Sequence, residues 1–227
     1  MADSIAAFVG VVTLPLAALL PLINPPGLAP IFLSMTRNAS DPDRTALARR
    51  IARNSFVLLL GAMLIGSYVL FFFGLSLAVI KIAGGLLVIS TAWGLTRPAP
   101  NPEQANVAAA APPTSEDQLL RHDFYPLTFP LTIGPGSISV TVALGAGIRG
   151  GSVAAEVTSV LGAIAGLAIV STAVYYSYRF ASRLLGVLGG TGTVVMLNLS
   201  AFILLAVGVR ILCDGLAEQF AILKPPA

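Results

Sequence analysis

The chain of 227 residues is 56% hydrophobic and only 10% charged, and its mean hydropathy is +0.88. Soluble globular domains carry about 25% charged residues, so this composition excludes an ordinary water-soluble fold and predicts an integral membrane protein. The single cysteine and the single histidine exclude an internal disulfide bond and a histidine-rich metal cluster, and the small net charge of +3 carries no nucleic-acid signature.

Long apolar runs predict membrane-spanning helices. A spanning helix needs about 20 apolar residues, so a chain of this length accommodates about six or seven spans. Unbroken apolar runs, rather than alternating short segments, argue against a membrane β-barrel. The runs cover about 5–36, 56–75, 77–95, 124–148, 153–175 and 193–212. The sequence therefore predicts an all-α integral membrane protein with six transmembrane helices.

The first run is too long for one straight span. Its roughly 32 residues would form a helix of about 48 Å, against a hydrocarbon core of about 30 Å. The run is interrupted at residues 24–27, which read Asn-Pro-Pro-Gly. Proline opens the helical hydrogen-bond ladder, so we expect a broken helix there. A cleaved signal peptide over residues 5–23 is disfavoured because no positively charged segment precedes the apolar run.

The middle of the chain predicts a division into two halves. Residues 97–120 are rich in proline, alanine and polar residues, which is typical of a flexible linker. They separate a first three-helix half, residues 1–96, from a second one, residues 121–227.

The two halves resemble each other in sequence. Residues 21–27 match residues 130–136 at four of seven positions, with an offset of 109 residues. A weaker echo sets residues 81–84 against residues 198–201. Each half then contains three spans, of which the first is broken at a Pro-Gly motif. Because three crossings reverse the direction of the second copy, we predict two inverted three-helix repeats.

The distribution of basic residues predicts the orientation. Nine lysines and arginines fall on one side of the six-span topology and four on the other. The nine are Arg37, Arg44, Arg49, Arg50, Arg53, Arg97, Arg121, Arg179 and Arg183, and the four are Lys81, Arg149, Arg210 and Lys224. By the positive-inside rule the nine face the cytoplasm. Both termini are therefore predicted to lie on the outer face.

The two Pro-Gly breaks are the candidate binding site. Opened backbone inside a membrane must be satisfied by protein, water or ligand, and paired breaks in inverted halves are typical of a transporter site. N–H groups at the start of each following half-helix suit a carboxylate, and freed carbonyls before each break suit an ammonium group, so a zwitterion is the expected ligand. The predicted substrate-binding residues are Asn24, Pro26, Gly27, Thr132, Gly134, Pro135, Gly136 and Ser137. The alternative is a pair of packing kinks without a ligand.

Other polar residues near the breaks have a structural alternative. Hydroxyl groups such as those of Thr132, Ser139 and Thr141 often bond back to carbonyls of their own helix, and for any single hydroxyl this interpretation is favoured. Asn24 is the exception, because a buried amide must find partners and this one lies at the break itself.

The spans contain few charged residues. Lys81 begins the third span and is expected to snorkel, and Arg210 with Asp214 forms an i, i+4 pair. With no acid at mid-membrane, a carboxylate proton relay and a metal transporter are disfavoured. No Ser/His or paired-Asp constellation lies in the spans, so we do not expect an enzyme, a metal site or another cofactor. A coupling ion, H⁺ or Na⁺, is left open.

Glycines in the spans predict close helix contacts. This applies to Gly84 and Gly85 together with Gly94, and to the GxxxG pair of Gly162 and Gly166. His122 lies outside the spans and is expected to be solvated.

Three motifs resemble those of the MarC family. Residues 24–33 resemble its N-P-x-G-x-x-P-I-F motif, residues 126–136 its P-L-x-x-P-x-x-x-G-P-G signature, and residues 81–86 its basic-I-A-G-G pattern. The resemblance covers about residues 5–215. It implies a six-span transporter of the lysine-exporter type in a bacterial inner membrane, with small neutral amino acids such as glycine and alanine as the substrate class. Pro26 and the long linker are the departures from the family pattern.

The sequence thus favours a transporter or exporter of small neutral amino acids that works by alternating access. Two alternatives remain: a non-transporting membrane scaffold, and a channel or broad-specificity efflux protein. The expected partners are the substrate and the lipid bilayer, without nucleic acid. Substrate identity, transport direction and a homo-oligomeric assembly are left open.

Overall fold

The computed structural model describes residues 2–96, 123–148 and 153–223, and all regular elements in these ranges are helices. They are α1 (Ala2–Ile23), α2 (Pro25–Met35), α3 (Asp41–Phe72), α4 (Leu77–Thr96), α5 (Asp123–Thr132), α6 (Pro135–Gly147), α7 (Val153–Arg179) and α8 (Ala181–Leu223). The predicted linker and the residues Arg97, Arg121, His122, Arg149 and Lys224 lie outside the described residues.

Four helices, α3, α4, α7 and α8, are each long and apolar enough to cross a membrane. Two bent pairs, α1 with α2 and α5 with α6, pass the same test when the two members are taken together. The described part of the chain thus contains four spans, or six if each bent pair is one span. The prediction of an all-helical membrane protein is confirmed, and six spans fit it when both bent pairs cross.

α3 begins well before the apolar run that predicted it. Ser40 caps the helix, with its hydroxyl oxygen accepting a hydrogen bond from the Asp43 backbone N–H at 3.3 Å. Asp41 and Asp43 lie in the first turn, where negative charge stabilises the positive end of the helix dipole. These residues let a charged, arginine-rich segment continue into the span as one helix of 32 residues.

Arg44 joins three parts of the fold at one end of the bundle. Its guanidinium group donates to the carbonyl oxygens of Thr36 and Ala39, each at 3.1 Å, and to the Ser182 hydroxyl at 3.3 Å. The contacts place the connection between α2 and α3 beside the start of α8. Basic residues of both segments, which the sequence assigned to one side, therefore lie at the same end, called below the arginine-rich end.

Contacts between glycines and neighbouring helices give the directions of the long helices. Along α1 and α7 the paired positions rise together, from Val11 against Gly162 to Pro15 against Gly166, so these helices run parallel. α4 and α8 run antiparallel and lie so close that a Cβ atom on Gly85 would approach the Leu212 nitrogen to 2.7 Å.

The predicted glycine contacts are largely confirmed. Gly84, Gly85, Gly162 and Gly166 each have atoms of another helix within contact distance of a hypothetical Cβ atom. The prediction is wrong for Gly94, because no described atom lies within 4 Å of a Cβ atom built there. Gly94 belongs to the same pattern of small residues, but a side chain at this position would extend into open space.

The other end of the bundle is marked by an ion pair between α4 and α8. Lys81, which the sequence predicted to snorkel, pairs with Glu218 at this end. Arg210 and Asp214 form the predicted i, i+4 pair, with 4.0 Å between Nε and Oδ2. Because Ser182 contacts Arg44 and Glu218 contacts Lys81, α8 extends from the arginine-rich end to the opposite end of the bundle. Its helix is interrupted at Gly189, where φ is 64° and ψ is −175°.

Candidate functional site

The first break separates α1 from α2 at Asn24, with a bend of 43°. Asn24 adopts the left-handed conformation, φ 44° and ψ 61°, which asparagine tolerates better than most residues. Its side-chain oxygen accepts from the Gly27 N–H at 3.4 Å, so it also caps the helix that follows. One residue therefore forms the bend and partly closes the N-terminus of α2.

The second break separates α5 from α6 and bends the chain by 74°. α5 is not a continuous helix, because Tyr125 and Phe129 have extended backbone, each before a cis proline. At its end the Ile133 N–H donates to the Thr128 carbonyl, five residues earlier, at 2.8 Å. α6 begins after Gly134, whose backbone is extended, and no side chain caps it. The N–H groups of Gly136 and Ser137 lie in its first turn, where an α-helix offers no internal acceptor.

Tyr178 of α7 connects the two broken spans. Its ring stacks on Phe32 of α2, with 4.4 Å between the centroids and 5° between the planes. Its hydroxyl group lies 2.9 Å from Thr132 Oγ1 at the end of α5. The side chain is fully buried. Tyr178 thus contacts both broken spans, at Phe32 within α2 and at Thr132 just before the second break.

Sequence reasoning did not identify Tyr178. Tyr178 lies just beyond the predicted apolar run 153–175, in the part of α7 that extends to Arg179. A tyrosine beside such a run is a signal, since a buried hydroxyl needs a partner. The signal is ambiguous here, because Tyr175 and Tyr176 precede it and Tyr176 is 52% exposed. Only the fold shows which of the three faces the breaks.

Each break also brings a glycine against a distant helix. A Cβ atom on Gly27 of α2 would overlap with Ser200 of α8 and with Asn24 itself. A Cβ atom on Gly136 of α6 would overlap with Val88 of α4. Both positions therefore require glycine for close packing.

The predicted binding residues differ in burial. Gly27, Thr132, Gly136 and Ser137 are buried, Asn24 and Gly134 are partly buried, and Pro26 and Pro135 are exposed. The two exposed prolines thus occupy equivalent places at the helix starts, where they restrict the backbone without facing the buried residues.

The hydroxyl groups near the breaks bond to their own segments. Thr132 donates to the Leu127 carbonyl at 2.7 Å, Ser139 to Gly136 at 2.9 Å and Thr141 to Ser137 at 2.7 Å. The local alternative described for single hydroxyl groups is therefore the one observed at these three positions.

The buried members of the two breaks are Gly27, Thr132, Gly136 and Ser137. One groove lies between α3 and α7 near Arg53, and a smaller one lies near Met63 and Glu156, but break residues line neither. Within the three described ranges, no cluster of His, Cys, Asp or Glu is placed to hold a metal ion. The polar groups available at the breaks are therefore backbone groups, hydroxyls and one amide.

Known proteins resemble this chain over nearly its whole length. A profile described as MarC family integral membrane protein matches residues 10–220. A UPF0056 membrane protein of Archaeoglobus fulgidus is 31% identical over 87% of this chain and 88% of its own length. The UPF0056 membrane protein YvbG of Bacillus subtilis is 28% identical over 88% and 91%. The UPF0056 inner membrane protein MarC of an Escherichia coli strain is 26% identical over 89% and 92%.

No solved structure matches the chain. The family match includes both bent spans and Tyr178 between them. Together with the relative that is 31% identical, it establishes that this chain belongs to the MarC family of integral membrane proteins.

Proposed function

We propose that this protein transports small neutral amino acids across the membrane by alternating access, with the two breaks as the substrate site. The observation that carries the proposal is the pairing of two broken spans at matching sequence positions, joined through Tyr178. Broken helices at the centre of paired repeats are the arrangement that secondary transporters use to bind substrate.

The proposal includes two inverted repeats, residues 1–96 and 121–227. Gly27 and Gly136 occupy equivalent positions, and each packs on the last helix of the other half. The contacted residues, Ser200 and Val88, lie on α8 and α4. These two helices run antiparallel, as the third helices of inverted repeats should. Packing directions and sequence matches thus support the same pseudo-twofold relation.

The second break is the proposed position of the substrate carboxylate. The N–H groups of Gly136 and Ser137 have no capping side chain, and the positive end of the α6 dipole lies at the same place. Gly134 lies just before them without a Cβ atom. A carboxylate can then be held by backbone donors, without a buried arginine or lysine.

The first break is the proposed position of the substrate ammonium group. Pro25 and Pro26 have no N–H to donate, so the carbonyls of Pro21 and Leu22 lose their usual helical partners. Carbonyl oxygens are suitable acceptors for an ammonium group. The backbone N–H groups at the second break and the free carbonyl oxygens at the first break can therefore bind the two charged ends of a zwitterion.

Transport requires this closed interior to open. We take the buried breaks as the occluded arrangement, in which rocking of one half against the other exposes the site to either side. Tyr178 contacts both broken spans, so its contacts must change when the halves move apart. H⁺ and Na⁺ gradients are the candidate driving forces. The protein is proposed to lie in a bacterial inner membrane.

The test is uptake of labelled glycine and alanine by liposomes that contain the purified protein, under H⁺ or Na⁺ gradients. We expect saturable uptake and exchange with unlabelled substrate, and loss of both in Gly136→Val. Gly61→Ala is the control, since no described atom lies within 4 Å of a Cβ atom there. Absence of uptake by folded wild type under every gradient would reject the proposal and favour a scaffold. Uptake without saturation or exchange would indicate a channel.

The proposed orientation has a separate test. Thr45 lies near the start of α3 at the arginine-rich end, which the positive-inside rule assigns to the cytoplasm. In a Cys213→Ser background, Thr45→Cys should resist an impermeant thiol reagent in intact cells and react after the cells are opened. Labelling of this cysteine in intact cells would place the arginine-rich end outside and contradict the proposed orientation.

A further inference from the structure

An open groove between α3 and α7 lies at the arginine-rich end, apart from the breaks. It has a volume of about 430 Å³ and combines basic, aromatic and aliphatic side chains. Arg49, Arg53 and Phe56 line it from α3, and Ser171 and Tyr175 line it from α7. The groove is therefore polar at one place and apolar at another.

The arginines of the groove carry charge that no carboxylate neutralises within the part of the chain that the structure describes. Two neighbours are paired, Arg44 with Asp41 at 2.9 Å and Arg50 with Asp123 at 3.8 Å. No such ion pair forms at Arg49 or Arg53 among the described residues. The guanidinium groups of Arg49 and Arg53 therefore lie at the groove without a carboxylate partner among the described residues.

Further polar groups lie beside these two arginines. Arg179 donates to the Tyr175 hydroxyl at 2.8 Å, and Arg49 also faces that hydroxyl. The Ser171 hydroxyl is buried at the groove and has no hydrogen-bond partner among the described residues. A ligand with several acceptor oxygens could accept hydrogen bonds from the Ser171 hydroxyl and from the guanidinium groups of Arg49 and Arg53 together.

The surroundings of the groove are apolar and face outward. Val57 on α3 is 62% exposed and Ile169 on α7 is 47% exposed, which is expected of side chains in contact with lipid tails. Phe56 lies one helical turn beyond Arg53, toward the middle of the α3 span. The charged part of the groove thus lies nearer the membrane surface, and its apolar part nearer the hydrocarbon core.

We propose that this groove is a binding site for an anionic phospholipid. The headgroup phosphate is held by Arg49 and Arg53, and an acyl chain lies along Phe56 and the adjoining apolar surface. Guanidinium groups form strong, charge-assisted hydrogen bonds with phosphate, and basic pockets between membrane helices are known to take anionic lipid headgroups. The inference concerns a different face of the molecule and does not depend on the proposed transport activity.

The experiment is native mass spectrometry of the purified protein titrated with phosphatidylglycerol or phosphatidylcholine. We expect retention of phosphatidylglycerol in preference to phosphatidylcholine, weakened about tenfold to a hundredfold by Arg49→Gln/Arg53→Gln. The matched control is Arg37→Gln/Arg183→Gln, which removes the same charge outside the groove and should bind like wild type.

Two further arms keep the outcome unambiguous. Thr172→Leu fills the groove from an exposed position without removing charge, and it should weaken phosphatidylglycerol binding in the same way. Soluble glycerophosphate should bind far more weakly, because it lacks the acyl chains. Equal loss in the two double variants, equal binding of both lipids, or glycerophosphate binding as tight as the lipid would overturn the proposal. Unchanged thermal unfolding of each variant establishes that it is folded.

Discussion

The two breaks share a motif but differ in how they end one helix and begin the next. The first bends the chain by 43° and is capped by its own Asn24, whereas the second bends it by 74° and lacks a side-chain cap. The repeated Pro-Gly motif therefore begins one helix, α2, with a side-chain cap and another, α6, without one. The difference assigns separate roles to the two breaks in substrate binding.

The difference originates in two unmatched positions of the repeat. Asn24 corresponds to Ile133 and Pro25 corresponds to Gly134. The polar side chain that caps α2 therefore has an apolar counterpart, and α6 begins one repeat position later, at Pro135.

The helices before the breaks differ as well. The Asn24 N–H donates to Leu20, four residues earlier, at 2.8 Å, as in an ordinary α-helix. The Ile133 N–H instead donates to Thr128, five residues earlier. Extended backbone also interrupts α5 at Tyr125 and Phe129, and the extended Gly134 precedes α6, so the chain before the second break is less regular than α1.

The largest effect is expected at Tyr178, which contacts both broken spans. Tyr178→Ala removes the stacking on Phe32 and the hydroxyl contact with Thr132, and it leaves a cavity in the core. Loss of a buried aromatic side chain costs about 3–5 kcal/mol in free energy of unfolding. Denaturation in mixed micelles measures it, with the exposed Tyr176→Ala as the control. Similar losses in the two variants would show that Tyr178 does not hold the two broken spans together.

The next effect separates the glycines of the two breaks. Gly136→Ala should cost about 1–3 kcal/mol in free energy of unfolding, because the added Cβ atom overlaps with the stiff, branched Val88. Val88→Ala in the same chain should recover part of that loss, as a double-mutant cycle measures. The same Val88 change should not rescue Gly27→Ala, whose obstacles are Asn24 and Ser200. Rescue of both or of neither would mean that the two glycines do not pack on different helices as described.

The cap of the first break gives a smaller effect. Asn24→Ala removes the acceptor for the Gly27 N–H and introduces a residue that tolerates the left-handed conformation poorly. The expected cost is about 0.5–2 kcal/mol in free energy of unfolding, whereas Asn24→Gly, which keeps the backbone conformation, should cost only a few tenths. Thermal unfolding of both variants measures the difference. Equal costs would attribute the effect to the side-chain contact alone.

The sequence predicts the spans and the breaks because both depend on local chemistry. An apolar run has to be buried in lipid whatever its neighbours are, and Pro25 and Pro26 remove hydrogen-bond donors wherever the chain folds. The length of α3 was underestimated, because apolar periodicity does not register a charged helix start such as the one capped by Ser40. Helix capping extends the element beyond the membrane segment.

The contacts between the halves could not be predicted in the same way. Lys81 pairs with Glu218, 137 residues away, and Tyr178 meets Thr132, 46 residues away. Such pairs depend on which face each helix turns toward its neighbour. In a membrane protein most faces are apolar, so hydrophobic periodicity does not distinguish them. Sequence patterns therefore identify candidate residues within each motif, but they do not identify Tyr178, which contacts both broken spans.

The smallest expected effect tests one side of the Tyr178 contact alone. Tyr178→Phe keeps the ring on Phe32 and removes only the hydroxyl that meets Thr132 of the second span. Because Thr132 donates its own proton to the Leu127 carbonyl, the tyrosine hydroxyl is the donor in the shared hydrogen bond. Its loss should cost about 0.5–1.5 kcal/mol in free energy of unfolding. A double-mutant cycle with Thr132→Val should give a coupling energy, since either change alone breaks the same bond. Strict additivity of the two substitutions would contradict this hydrogen bond and leave the ring stacking on the first span as the only link that Tyr178 makes.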